Sequence, residues 1–272
     1  MPIAMDDGRV PDPLTPTDAP ARLTRGMLTA EVYLVLALSL GRSGVFALVN
    51  LIASATAPGR LTSQTAVLNS SRAPGRPWFD LAFQLLALGF GLTPVLLVAY
   101  LLTRSGQNIR ALGLDATRPR QDIGRGALVA AVIGGTGLAL YLTTYALGVD
   151  LTVVPEDLPH VWWRIPVLVL SAAQNALLEE AVVVGYLMLR LRQLGWSPRA
   201  AITVSALVRG SYHLYQGVGG FVGNAVMGVV FGWLYHRWGR VGPLVAAHTL
   251  IDVVAFVGYA LLAGHVGWLP TP

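Results

Sequence analysis

The fold class this sequence predicts is all-α: a polytopic transmembrane helix bundle of about seven spans, within a range of six to eight. Three observations carry that reading. Hydrophobic residues fill 54% of the 272 positions and charged residues only 12%, against about 25% charged in a soluble domain. Mean hydropathy is +0.59. Apolar runs of roughly twenty residues, the length a helix needs to cross a bilayer, recur along the chain.

Residues 1–24 are polar and carry Asp6, Asp7, Asp12 and Asp18 among several prolines. They hold no apolar run with a small-residue cleavage site, so they read as a disordered cytoplasmic tail rather than a signal peptide. Apolar runs then place candidate spans at roughly 30–54, 79–103, 124–148, 163–189, 200–217, 220–238 and 242–263. Residues 25–123 form an N-terminal set of spans with a basic linker, and 124–265 a second helix bundle. The first span is impure, with Glu31 and with Arg42, which would snorkel or pair inside the bundle. The fifth is short and carries Arg209 and His213.

Arginine bias orients the spans. The loop at 104–123 carries Arg104, Arg110, Arg118 and Arg120, the turn at 190–199 carries Arg190, Arg192 and Arg199, and Arg237 and Arg240 separate the last two spans. The loop at 149–162 has no arginine. This predicts a cytoplasmic N-terminus, an outward C-terminus and a place in the cell (plasma) membrane. One loop dissents: 55–78 would face outward yet contains Arg60, Arg72 and Arg76, which an extra span or a re-entrant piece would explain. No internal repeat is visible, which weakens an inverted-repeat transporter.

All 19 basic residues are arginine and cysteine is absent. The first reads as the codon bias of a GC-rich, bacterial genome; the second excludes disulfides and thiolate chemistry. The net charge of +5 and pI near 9.9 do not imply nucleic acid, because basic loops that grip anionic lipid headgroups account for them.

The chemistry concentrates in Asn175-Ala-Leu-Leu-Glu179-Glu180-Ala-Val-Val-Val-Gly-Tyr186. One acid near mid-membrane costs roughly 2.5–3.5 kcal/mol on an insertion scale, so two adjacent ones need partners, water or protons. Arg209 and His213 lie at i, i+4, as do His248 and Asp252, so each pair shares a helix face. Three helices thus each present a polar pair in an apolar wall. Singly, each has a plainer reading: a hydrogen-bonded packing histidine, a helix-bridging aspartate, a Glu180 that only holds an arginine. Tyr212, Tyr215 and Trp233 read as core or interface aromatics, and His160, His236 and His265 as solvated span ends. As a set, a carboxylate beside an imidazole can move a proton from water to a leaving amine, and a second histidine with a carboxylate can serve an oxyanion or orient a ring. Two histidines and a glutamate can also hold a zinc-like divalent metal, although the spacing of the familiar zinc proteases is missing. A Gly-x-Ser-x-Gly elbow is missing too.

Glu179-Glu180 followed by Gly185-Tyr186, a histidine after the next helix at His213, and His248-x-x-x-Asp252 in the last span resemble the CPBP family, the CAAX-protease and bacteriocin-processing (Abi) intramembrane proteases. The likeness covers about 105–260, including Ala111-Leu-Gly-Leu114 before the core helices. It implies an intramembrane (metallo)endopeptidase cutting a peptide or membrane-protein substrate near the cytoplasmic face. Glu179 would activate water, His213 would assist, and His248 with Asp252 would stabilise the oxyanion or help hold a metal; the metal set would be His213, His248 and Glu179. The family's arginine in the first motif is Val184 here, and its phenylalanine in the second is Arg209. We therefore expect a swap in which Arg209 reaches across to Glu180, since an unpaired carboxylate there would be costly. Two other functions stay open: an inactive scaffold of this type used for immunity or partner binding, and a small proton-coupled transporter.

Depth raises a difficulty. Counted at 1.5 Å per residue, Glu179 lies about 24 Å into its span from residue 163, whereas His213 lies about 20 Å from the opposite side. On that count they miss each other by over roughly 10 Å unless the fifth helix starts outside the bilayer or tilts.

Overall fold

The computed structural model describes residues 23–148, 150–266 and 269; all but the last two residues of the expected polar tail lie outside that range. Helix α1 (Arg25–Ala37) starts where the Thr24 hydroxyl accepts from the Met27 amide, an N-cap bond. It meets α2 (Leu40–Thr56) at a 50° bend. Helices α3 (Pro77–Gly91) and α4 (Thr93–Arg104) form one span, broken where Pro94 cannot donate to the preceding turn. Helix α5 (Pro119–Ala146) follows the basic loop. Next come α6 (Arg164–Glu179), a π-helical segment (Glu180–Tyr186) and α7 (Leu187–Gln193), which run on as one span of 30 residues. Helices α8 (Pro198–Ser211), α9 (Val218–Trp238) and α10 (Gly242–Leu262) complete the bundle.

The all-α membrane bundle is borne out. Among the described residues, five helices are long and apolar enough to cross a membrane, six if the bent α1–α2 pair is one span. Large apolar side chains such as Phe46, Ile52, Phe90, Leu128 and Val254 face outward, as lipid-facing surfaces require. Helices within such a bundle approach through small residues: a Cβ on Gly228 of α9 would sit 2.8 Å from the Ala206 Cα of α8.

The candidate at 200–217 needs correction. Helix α8 has 14 residues, about 21 Å against a hydrocarbon core of about 30 Å. It nevertheless joins the two ends of the bundle. Near its start, Arg25 donates to the Leu194 carbonyl. Beyond its end, a 3-10 turn (Leu214–Gln216) leads to Gly217, which bridges to Asp150.

The dissenting loop does not acquire the extra span or re-entrant piece expected of it. Residues 55–78 contain strand β1 (Thr65–Ser70), which pairs in parallel with β2 (Thr152–Asp157) from Thr65↔Thr152 to Ser70↔Asp157. Both loops therefore lie at one end, the strand end. No helix beyond a 3-10 turn (Leu61–Ser63) separates α2 from α3 among the described residues, so neither expected explanation holds and Arg60, Arg72 and Arg76 stay at the strand end. The arginine-rich turns gather at the other, basic end. There Leu112 and Gly113 accept from the amides of Val241 and Gly242. A Cβ on Gly113, whose φ is 66°, would collide with the Arg240 backbone. Arg240 bridges Asp115 and Asp122 at 3.1 and 2.7 Å, and its guanidinium holds the Asp115 carboxyl well below the usual carboxylate range.

Candidate active site

Glu179 closes α6 and Glu180 opens the π segment, all seven of whose residues are buried. The wider turn shows in the bond from the Leu187 amide to the Val182 carbonyl, five residues back; such bulges recur at functional sites. The neighbouring Val183 carbonyl accepts from Ser205 Oγ of α8 at 2.9 Å, so an extra backbone group stays satisfied inside the bundle. Gly185 leaves room for Leu112 and Val241, whose methyls would lie 3.1 Å from a Cβ there. The Ala111–Leu114 loop thus packs under the segment that carries the acids.

From α8, fully buried Arg209 reaches both acids. Nη1 donates to Glu180 Oε1 at 2.7 Å, and Nη2 lies 3.3 Å from Glu179 Oε2. Its guanidinium also sits over the Phe231 ring, 5.1 Å from the centroid. The expected reach of Arg209 across to Glu180 is therefore present as a contact. From α10, His248 Nδ1 lies 2.8 Å from Glu180 Oε1 and 3.1 Å from Arg209 Nη2. A guanidinium only donates, so Nδ1 cannot serve both. With the proton on Nδ1, His248 donates to Glu180 and Nη2 turns to Glu179, so no donor faces a donor; Arg209 Nε and Glu180 Oε2 stay without a partner among the described residues. His248 Nε2 then faces Asp252 at 3.6 Å, beyond a good hydrogen bond.

Tyr212 reads from sequence as a packing aromatic, but its hydroxyl donates to Glu179 Oε2 at 2.9 Å and its side chain is buried. The available signal was its position, three residues past Arg209 and on the same face. Trp233 is exposed, as a lipid-facing ring would be, and the Tyr215 hydroxyl accepts from Gln216. His213 lies just past the Tyr212 cap of α8, at the start of the 3-10 turn. Its Nδ1 lies 3.0 Å from the Arg209 carbonyl, which can only accept, so the proton sits on Nδ1 and Nε2 keeps its lone pair. Its ring lies 4.7 Å from that of Tyr212, whose hydroxyl bonds Glu179.

The helix count explains why these groups meet. The α6–π–α7 span is 30 residues long, about 45 Å, so Glu179 lies halfway along it rather than near one membrane face. Arg209 and Tyr212, rising about 17–21 Å from residue 198, arrive at the same level.

The donors that converge as a possible metal cluster are Glu179, Glu180 and His248, within 4.8 Å of one another. His213, expected among the ligands, is outside that set. The fit to a divalent ion is poor, because the Arg209 guanidinium already stands among these donors, within 3.3 Å of all three. A second cation there would be repelled at short range.

The distant Glu31 of α1 is also paired. It meets Arg190 of α7 at 3.0 Å and accepts from the Tyr186 hydroxyl at 3.1 Å, so the far end of the π segment is clamped by an ion pair.

No curated protein and no solved structure matches the chain. A family model described as type II CAAX prenyl endopeptidase, Rce1-like, matches residues 161–254, from just before α6 into α10.

Proposed function

We propose, from the premise that residues 161–254 belong to the CPBP family of CAAX-type membrane proteases, that this protein is an intramembrane endopeptidase whose base is Glu179. The observation that carries it is the division of labour between the two acids. Glu180 is buried and bonded to Arg209 and His248. Each acid is held through one oxygen, Glu180 through Oε1 and Glu179 through Oε2 by Tyr212 and Arg209, but the Glu179 side chain keeps 11% exposure against 0% for Glu180, so Glu179 Oε1 is the free oxygen a water can reach.

In this mechanism Glu179 takes a proton from water, and the hydroxide attacks the carbonyl carbon of the scissile peptide. His213 Nε2, an acceptor, helps align that water. In its doubly protonated form, with Nδ1–H on Glu180 and Nε2–H not committed to Asp252 at 3.6 Å, His248 donates through Nε2 to the oxyanion, a kind of stabilisation worth several kcal/mol in dry sites. Glu179 returns its proton to the departing nitrogen, the C–N bond breaks, and a carboxylate and an amine leave. Glu180 and Arg209 keep the charge of the chamber balanced throughout. No step needs a metal, which accords with the guanidinium standing among the candidate ligands.

Substrates are peptides or membrane proteins presented in the bilayer. We place the protein in a bacterial cell membrane, with the arginine-rich end in the cytoplasm against anionic headgroups. The test is a comparison of membrane-peptide N-termini between cells carrying the native protein and Glu179→Ala. New N-termini lost only in the variant support the reading. Identical sets would leave a scaffold or, if proton-coupled flux appears in liposomes, a transporter.

A further inference from the structure

A second polar feature takes no part in this chemistry. Between β1, α3 and α6 lies a cavity of about 230 Å³ whose lining includes Asn69, Arg72, Gln84, Ser171, Gln174 and Asn175. Three of these sit on α6, inside an apolar span. Ser171, Asn175 and Glu179 follow one another at i, i+4 and i+8, a stripe down one side of the helix. The cavity therefore reaches within one helical turn of the proposed base.

Some of the lining is already fixed. Ser171 Oγ donates to Asn69 Oδ1 at 2.8 Å, Asn69 Nδ2 to the Pro155 carbonyl at 2.9 Å, and Gln84 Nε2 to the Ser70 carbonyl at 3.0 Å. The amides of Gln174 and Asn175 form no hydrogen bond among the described residues, yet both line the cavity. The fold also makes room for one of them: a Cβ on Gly91 of α3 would sit 2.8 Å from Gln174 Cδ. Both side chains are half-buried, and polar amides at membrane depth need water or a ligand to satisfy them.

A carboxamide offers both donors and acceptors, and so does an extended peptide, with one N–H and one C=O exposed at each residue. A helical peptide has neither to offer. From Ser171 to Glu179 the helix rises about 12 Å, a distance covered by about four extended residues. We propose that this cavity seats the substrate backbone: an extended peptide segment, about four residues to one side of the scissile bond, held by the Gln174 and Asn175 amides and admitted from the strand end. This rests on the proteolytic reading of Glu179 and adds to it a requirement that the substrate be non-helical there.

The absence of cysteine allows a direct test. Ala87→Cys on the cavity wall is introduced with Glu179→Gln into the full chain, reconstituted in phosphatidylcholine nanodiscs, and modified with a maleimide. The probes are a leucine-rich transmembrane peptide with a central Gly-Pro break and the same peptide without it. We expect the broken peptide alone to slow modification, and Gln174→Leu with Asn175→Leu to weaken that protection about tenfold, the loss of two backbone bonds. Equal protection by both peptides, protection by neither, or protection by added phosphatidylglycerol alone would overturn the groove. Leu88→Cys, on the same wall, is a second reporter if Ala87→Cys perturbs folding. Cleavage of the broken peptide by protein with Glu179 intact is measured separately. Cleavage without protection sinks the groove and spares the protease; protection without cleavage does the reverse.

Discussion

Arg209 Nη1 lies 2.7 Å from Glu180 Oε1, and neither side chain touches solvent. The pair joins α8 to the start of the π segment, whereas the motif this chain resembles carries its arginine on the same helix as its glutamates. In this chain that position is Val184, itself buried, and the guanidinium arrives from the neighbouring helix instead. Removing one member of a buried pair leaves an uncompensated charge and costs about 3–5 kcal/mol. Arg209→Leu should therefore lower the thermal unfolding temperature in detergent and abolish cleavage. Val184→Arg added to Arg209→Leu should recover part of both losses. A double variant no better than the single one would show that the guanidinium's position, and not only its charge, is required.

Tyr212 bears on Glu179 alone through its hydroxyl. Tyr212→Phe keeps the ring and its packing beside His213 and deletes the bond to Oε2 at 2.9 Å. Hydrogen bonds to charged groups contribute about 1.5–3 kcal/mol, so cleavage should fall at least about tenfold while the unfolding temperature moves little. Steady-state rates set beside a melting curve decide this. A large drop in stability with unchanged turnover per folded molecule would make Tyr212 a packing residue after all.

The sequence exposed the acids, histidines and Arg209 because charge stands out on an apolar span, and the exchange at Val184 and Arg209 could be read as a compensated pair for the same reason. Depth was not legible. A thickness near 30 Å had to be assumed for each span, whereas the motif helix continues for 30 residues through a π turn, and no residue pattern marks that turn. Tyr212 was ambiguous because an aromatic among apolar neighbours reads as packing whether or not its hydroxyl has a partner. Strand β1 was hidden because its parallel partner is supplied by a loop two spans later.

Chelation offers a test with opposite signs for the two mechanisms. With Arg209 among the donors of Glu179, Glu180 and His248, cleavage should survive dialysis against EDTA and 1,10-phenanthroline. Added zinc should inhibit rather than activate, since it would compete for the same donors. Restoration of a chelated, inactive sample by stoichiometric zinc would mean that Arg209 moves aside in the working enzyme.

The pair between Glu31 and Arg190 makes a separate prediction about stability. Both side chains are buried, and Glu31 Oε1 and Arg190 Nε have no hydrogen-bond partner among the described residues, so this pair is only partly satisfied. Such pairs contribute little when exchanged whole and cost much when halved. Arg190→Met should therefore destabilise by about 3–5 kcal/mol, whereas Glu31→Gln with Arg190→Met should cost less than Arg190→Met alone. A double-mutant cycle on unfolding in mixed detergent measures that coupling. Because the pair also clamps Tyr186 at the far end of the π segment, the single variant should lower cleavage in proportion to the folded fraction. Loss of cleavage in a sample that remains fully folded would place the clamp among the groups that set the position of Glu180.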